Sequence, residues 1–124
     1  MFEVSVEASF SAGHALRNYQ GKCENLHGHN YRVRVSVAGD QLDNAGLLVD
    51  FSKIKASLRA LVERLDHQFL NELKPFDELN PSAENLAKYI SDGLSGELQE
   101  KPFQLGSVTV WETDTTSVTY RPPR

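Results

Sequence analysis

Apolar residues repeat with two different periods in this chain, and the order of the periods limits the folds it can adopt. Near both ends, apolar and polar residues alternate, which predicts strands that bury one face. In the middle, apolar residues recur at three- and four-residue steps, which predicts two amphipathic helices. The apolar stripe of the first helix is Phe51, Ile54, Leu58, Leu61 and Leu65. This order predicts an α+β domain in which two helices cover one face of an antiparallel four-stranded sheet.

The predicted elements have recognisable ends. Asp50 or Ser52 is the expected N-cap of the first helix, and Ser82 is the expected N-cap of the second. The second face of the sheet carries serine, glutamate, arginine and threonine, so it must meet water or a partner with polar groups. Alternation is clear at 2–10, 31–37, 108–111 and 117–121, and the helical period at 51–65 and 86–98. The first strand is expected to run on to His14, and its hairpin partner to begin at about residue 27.

The size and charge of the chain exclude several classes of protein. Its 124 residues suffice for one domain, 1–124, with a modest core, so oligomerisation is expected to add stability. The formal net charge is -4 and no basic cluster is present, which argues against a nucleic-acid partner. We expect no membrane span and no signal peptide, because no long apolar run is present. Cys23 is the only cysteine, which fits a cytoplasmic protein.

Three of the four histidines lie near the first turn and together predict a metal site. His27 and His29 are two residues apart in a predicted strand, so their imidazoles point to the same face. His14 ends the preceding strand, whose partner begins at about residue 27, so the three side chains can converge. Three neutral imidazoles with an open fourth position are the ligands of a catalytic zinc. Each histidine taken alone is better explained as a surface residue or a hydrogen-bonded core residue, and only the three together favour the metal.

Cys23 lies four residues before His27 in a polar loop, and three roles are open for it. A nearby zinc and Lys22 would favour the thiolate, which acts as a base or a nucleophile. As a fourth ligand beside three imidazoles, the thiolate would instead close a structural zinc site in a non-catalytic binding module. The third role is that of a small buried hydrophobic residue.

Two other positions combine charge with a place at the end of an element. Asp66 and His67 close the first helix, where they could cap it or form a pair in which the carboxylate orients the imidazole for proton transfer. Glu112 ends a strand whose buried face is apolar. It is either a strand-end charge or an anchor whose two oxygens accept the paired N–H donors of a guanidine-like heterocycle.

Six segments resemble the family of 6-pyruvoyltetrahydropterin and 6-carboxytetrahydropterin synthases. They occur in the family's order over nearly the whole chain and include all four histidines. The segments are Phe10–His14, Cys23–His29, Val49–Phe51, Leu65–Asn71, Pro81–Asn85 and Trp111–Thr113.

This resemblance implies a tunnelling fold, in which subunits join their sheets edge to edge into barrels, and a homohexamer with active sites between subunits. It implies that His14, His27 and His29 hold zinc. The other implied site residues are Cys23 as general base, Asp66 and His67 as its relay partners, and Glu112 as the pterin anchor.

Within the family, the three-residue spacer between Cys23 and His27 resembles the bacterial 6-carboxytetrahydropterin synthases of queuosine biosynthesis. That resemblance implies conversion of 7,8-dihydroneopterin triphosphate to 6-carboxy-5,6,7,8-tetrahydropterin, with release of acetaldehyde and triphosphate. A 6-pyruvoyltetrahydropterin synthase is an alternative, although animal-type enzymes have a longer spacer. Glu24 raises a third possible activity, because some relatives use a glutamate in this loop to cleave the side chain of the pterin towards a folate precursor.

Overall fold

The computed structural model describes residues 1–98 and 102–123, which form a sheet with two helices packed on one face. In space the strands lie in the order β3-β1-β2-β4-β5. The strands are β1 (Phe2–His14), β2 (His27–Gly39), β3 (Gln68–Phe69), β4 (Phe103–Thr113) and β5 (Thr116–Tyr120). The helices are α1 (Phe51–Leu65) and α2 (Ala83–Leu98), and two 3₁₀ turns span Lys22–Glu24 and Leu70–Glu72.

The antiparallel pair β1–β2 decides where the first histidines meet. Its register runs from Phe2 opposite Gly39 to His14 opposite His27. Along its other side, β2 pairs with β4, which in turn pairs with β5. The predicted α+β class is therefore confirmed.

A fifth strand corrects the predicted count of four. β3 pairs in parallel with Ala12 and Gly13, at the end of β1. Just before it, the backbone N–H of His67 donates to the carbonyl oxygen of Ser11 at 2.6 Å. Two residues are too few to show a hydrophobic period, so the pattern could not reveal this strand.

The sheet stays open within the single chain. β5 forms one edge, and β1 forms most of the other, because only its Ala12 and Gly13 are covered by β3. Among the described residues, no strand pairs with the outer side of Phe2–Phe10. The outer sides of β5 and of most of β1 could therefore pair with strands of another chain.

The core lies between the sheet and the helices. Phe51 and Leu61 depart from the predicted apolar stripe of α1: Phe51 is 49% exposed and Leu61 is half-buried. Val62, which was not in that stripe, is buried instead. The fully buried members include Tyr31, Val33, Val35 and Val37 from β2, Ile54 from α1, and Leu86, Ile90 and Leu98 from α2.

Side-chain caps fix the starts of both helices. Asp50 is the N-cap of α1, since its carboxylate accepts the backbone N–H of Ser52 at 2.9 Å. The hydroxyl oxygen of Ser82 accepts the backbone N–H of Asn85 at 3.2 Å, as predicted for the second helix. None of the helices in the described part of the chain is long and apolar enough to cross a membrane.

Candidate active site

The ends of β1 and β2 bring three imidazoles together. His14 lies opposite His27, and His29 lies opposite Ala12, one step further along the same pair of strands. Each histidine offers one nitrogen, and these atoms lie within 4.8 Å of one another. The Nε2 atoms of His14 and His27 are 2.9 Å apart. The convergence expected from the strand pattern is present in the structure.

Backbone carbonyls determine which ring nitrogen of two of these histidines faces the cluster. Nδ1 of His14 lies 2.7 Å from the carbonyl oxygen of Pro81, and Nδ1 of His27 lies 2.7 Å from that of Asn25. A carbonyl oxygen only accepts hydrogen bonds, so each Nδ1 is assigned the proton and each Nε2 keeps a lone pair. Two lone pairs that face each other repel, and a cation between them removes the repulsion.

His29 supplies a second indication of a cation. Its Nε2 is buried and has no hydrogen-bond partner within the described ranges. The Glu112 carboxylate, at 3.8 Å, is too distant for a hydrogen bond. Buried polar atoms are rarely left unpaired in folded proteins. Three imidazoles of this kind fit Zn²⁺, which prefers nitrogen and sulfur ligands in tetrahedral geometry.

Burial keeps the site in the protonation state that a metal requires. Desolvation lowers the pKa of His14 and of His29, although Glu112 acts in the opposite direction on both. Neutral imidazoles are the form that binds metal. Beside them, burial raises the pKa of Tyr31, whose hydroxyl oxygen lies 3.1 Å from Nδ1 of His14. Tyr31 therefore stays protonated, and its hydroxyl oxygen lies within hydrogen-bond distance of the His14 ring.

Cys23 lies in the 3₁₀ turn Lys22–Glu24 and is half-buried. In the described part of the chain, the group of converged donor atoms holds three imidazoles without the thiol. This arrangement leaves the fourth position of the cluster open, as a catalytic site requires. The adjacent Glu24 is exposed, and its carboxylate accepts the backbone N–H of Tyr19 at 3.0 Å.

Asp66 and His67 are in contact, but they lie outside the imidazole cluster. Nδ1 of His67 is 3.0 Å from the Asp66 carboxylate, which also accepts the backbone N–H of Ser11 at 2.9 Å. The Ser11 hydrogen bond, followed by that of His67, holds the pKa of Asp66 below its usual range. Asp66 is also the C-cap residue of α1, so it both ends the helix and contacts His67, while proton transfer by this pair stays a prediction. The side chain of His67 is 82% exposed, in a cleft of about 430 Å³ that Gly13 and Gly28 also line.

Glu112 lies next to the cluster and next to a cavity. Its carboxylate is 3.8 Å from Nε2 of His29, and its side chain is 30% exposed. The residue lines a cavity of about 130 Å³ together with Glu84 and Val118. An acid in this position can face a bound heterocycle. The sequence pattern did not single out Glu84 as a lining residue of this cavity, although it lies within the segment Pro81–Asn85.

Comparisons with known proteins agree with this arrangement. A sequence model of the family 6-pyruvoyl tetrahydropterin synthase matches residues 3–123. The chain is 39% identical to a 6-carboxy-5,6,7,8-tetrahydropterin synthase of Synechocystis, over all of this chain and 96% of the relative. It is 36% identical to the enzyme of the same name from Bacillus subtilis, over 99% and 87% of the two chains.

Solved structures show the same similarity. The Caenorhabditis elegans 6-pyruvoyl tetrahydropterin synthase superposes with a TM-score of 0.85 at 29% identity, over 99% of this chain and 98% of that one. A Plasmodium vivax 6-pyruvoyltetrahydropterin synthase superposes with a TM-score of 0.75 at 26% identity, over 98% and 97% of the two chains. That protein is a variant in which alanine replaces a glutamate described as a catalytic residue.

Proposed function

The chain belongs to the 6-pyruvoyl tetrahydropterin synthase family, and on that premise we propose that it is a zinc-dependent carbon–carbon lyase that makes 6-carboxy-5,6,7,8-tetrahydropterin. The observation that carries the proposal is the cluster of three imidazoles with an open position, beside Glu112. The substrate is 7,8-dihydroneopterin triphosphate. With one water, it gives the carboxy product, acetaldehyde and triphosphate.

The zinc would be held by His14, His27 and His29. When bound, it supplies a Lewis acid that makes the C–H bonds beside the side-chain hydroxyls more acidic. Elimination of triphosphate and cleavage of a carbon–carbon bond both require protons to move, so a base and an acid are needed near the side chain.

The chain's own residues divide these tasks. Glu112 holds the pterin ring, because its carboxylate accepts two parallel N–H donors. The Cys23 thiolate removes protons from the side chain, and His67, oriented by Asp66, returns them. Active sites between subunits would let the exposed His67 of one chain serve a neighbouring cluster.

The names of the relatives favour the carboxy product over the pyruvoyl product. The relatives at 39% and 36% identity are both 6-carboxy-5,6,7,8-tetrahydropterin synthases. The short spacer between Cys23 and His27 supports the same choice. We place the reaction in queuosine (7-deazaguanine) biosynthesis, in the cytoplasm, and in a single domain over residues 1–124.

One experiment tests the proposed reaction directly. Zinc-loaded protein is incubated with 7,8-dihydroneopterin triphosphate, and the pterin and aldehyde are identified by mass spectrometry. The proposal requires the carboxy pterin with an equal amount of acetaldehyde. A 6-pyruvoyl product without aldehyde, or 6-hydroxymethyl-dihydropterin, would assign the chain to one of the two other branches of the family.

The anchor role of Glu112 predicts weaker pterin binding in Glu112→Gln. The change keeps the size of the side chain but places an NH₂ donor against ring N–H donors. Loss of a charged hydrogen-bond partner costs about 1.5–3 kcal/mol, which is roughly a tenfold to hundredfold loss of affinity. Calorimetric titration with a pterin measures the affinity, and Glu72→Gln on an exposed turn is the matched control. Equal affinities in both variants would return Glu112 to a strand-end charge.

Assembly is expected to follow from the open sheet. The second face of the sheet is polar, and within the described residues β5 and most of β1 have no strand on their outer sides. The chain has only 124 residues, so we expect neighbouring subunits to complete the sheet and the site. We expect a homohexamer, which light scattering at micromolar concentration would detect as about six times the 13.9 kDa chain mass. A fully active monomer would contradict this expectation.

A further inference from the structure

Two asparagine side chains take the place of a neighbouring strand beside the segment Ala15–Arg17, which follows β1. The Oδ1 of Asn71 accepts the backbone N–H of Ala15 at 2.9 Å, and its Nδ2 donates to the carbonyl oxygen of Ala15 at 2.8 Å. Asn80 forms the same pair of bonds with Arg17, both at 2.8 Å. In an extended chain the backbone groups of residues i and i+2 point to the same side, so the two amides resemble the paired rungs of an antiparallel ladder.

The opposite side of this segment holds the turn that carries Cys23. Leu16, which lies between the two residues that the asparagines bind, donates its backbone N–H to the carbonyl oxygen of Cys23 at 2.8 Å. Successive residues of an extended segment point their backbone groups in opposite directions. The segment Ala15–Arg17 therefore lies between the two asparagines and Cys23, and the place of the thiol depends on where that segment is held.

The connection that carries both asparagines also contacts the metal cluster. The carbonyl oxygen of Pro81, directly after Asn80, lies 2.7 Å from Nδ1 of His14. The Arg17 guanidinium donates to the carbonyl oxygen of Phe76 at 2.8 Å. This is a further hydrogen bond between the segment Ala15–Arg17 and the same connection. One stretch of chain thus holds both a ligand ring and the segment that leads to Cys23.

We propose that Asn71 and Asn80 are positioning residues that hold the Cys23 thiol in place relative to the imidazole cluster. The inference rests on the proposed function in one respect, the role of Cys23 as the base. An asparagine amide carries a donor and an acceptor at the spacing of a peptide group, so its loss leaves two backbone groups without partners. A displacement of about 1 Å at a reacting group can cost roughly 100-fold in turnover.

Asn71→Ala and Asn80→Ala test the proposal, with Asn44→Ala on the exposed turn between β2 and α1 as the control. The first measurement is the rate at which iodoacetamide alkylates Cys23, the only cysteine, at one fixed pH for all variants. We expect alkylation to be roughly tenfold faster in both variants, since each loses two hydrogen bonds that hold the segment Ala15–Arg17, to which the Cys23 turn is bound through Leu16. The control should match the unmodified chain.

The second measurement separates positioning from general stability. With zinc content unchanged, kcat should fall by roughly 10- to 100-fold while KM changes much less, because the pterin anchor is intact. If the alanine variants do not fold, Asn71→Gln and Asn80→Gln replace them. These keep both the donor and the acceptor but move them by one methylene group, so smaller effects in the same direction are expected.

The two measurements together decide whether the asparagines position the thiol. Unchanged alkylation rates in folded variants would overturn the proposal, and so would faster alkylation with unchanged kcat. A wild-type protein without carboxy-pterin activity would count against the proposed function alone, because the alkylation rates need no pterin and still report whether the asparagines hold the thiol.

Discussion

Replacing Cys23 by alanine is expected to lower the rate of carboxy-pterin formation by ~100- to 10,000-fold, the loss typical of a missing general base. Zinc and pterin binding should persist, because the thiol is not among the converged donor atoms. Steady-state kinetics, elemental analysis and pterin titration on the same preparations measure the three quantities.

Glu24→Ala is the matched control for this change. The Glu24 carboxylate is exposed and accepts a backbone hydrogen bond within its own loop, so its removal should have a mild effect. The reverse pattern, an inactive Glu24→Ala and a Cys23→Ala variant that makes 6-hydroxymethyl-dihydropterin, would move the chain to the folate branch. The glutamate described as catalytic in the Plasmodium vivax relative makes this comparison necessary. Loss of zinc from Cys23→Ala would instead indicate a closed structural site.

Replacing His27 or His29 by alanine is expected to remove both zinc and activity while much of the fold remains. Each change deletes one of three nitrogens that lie within 4.8 Å of one another, and two imidazoles hold zinc weakly. His67→Ala is the matched control, because this histidine lies outside the cluster. It should keep its zinc and lose activity as a relay residue. Full zinc occupancy in the His27 and His29 variants would show that the cluster is not the metal site.

Removal of the metal separates the lyase from a zinc-stabilised binding module. The apolar core is built from β1, β2, β4 and both helices, so the chain should stay folded when a chelator removes zinc. Circular dichroism of the chelated protein, followed by recovery of activity with added zinc, measures this. Unfolding on chelation is the result that a structural zinc module predicts.

Residues at regular spacing could be located from the sequence. Strand alternation placed His27 and His29 on one face, and the expected hairpin of the first two strands placed His14 beside them. The same alternation identified the core residues of β2. These features depend on distances of two to four residues along a regular element, so the chain alone contains the information.

Contacts between irregular segments could not be located in this way. Tyr31 reads as an ordinary core residue, and nothing in its spacing indicates a hydroxyl beside His14. The bonds from Asn71 and Asn80 to the backbone of Ala15 and Arg17 span more than 50 residues and follow no period. Such contacts depend on how loops cross in space. The position of Asp66 at the helix end indicated a cap, but nothing in the sequence pattern indicated its bond to Ser11.

The uncovered edge of β1 also affects how the chain behaves before it is assembled. Along Phe2–Phe10, backbone donors and acceptors on the outer side face no strand within the described residues. An unpaired edge of this length is a template for any extended chain that it meets, so under the proposed assembly a chain is prone to aggregation until this edge is paired. Glu3 and Glu7 on this strand carry charges that discourage pairing with the wrong chain. Variants that slow association should therefore accumulate as insoluble protein even when their folded structure is intact.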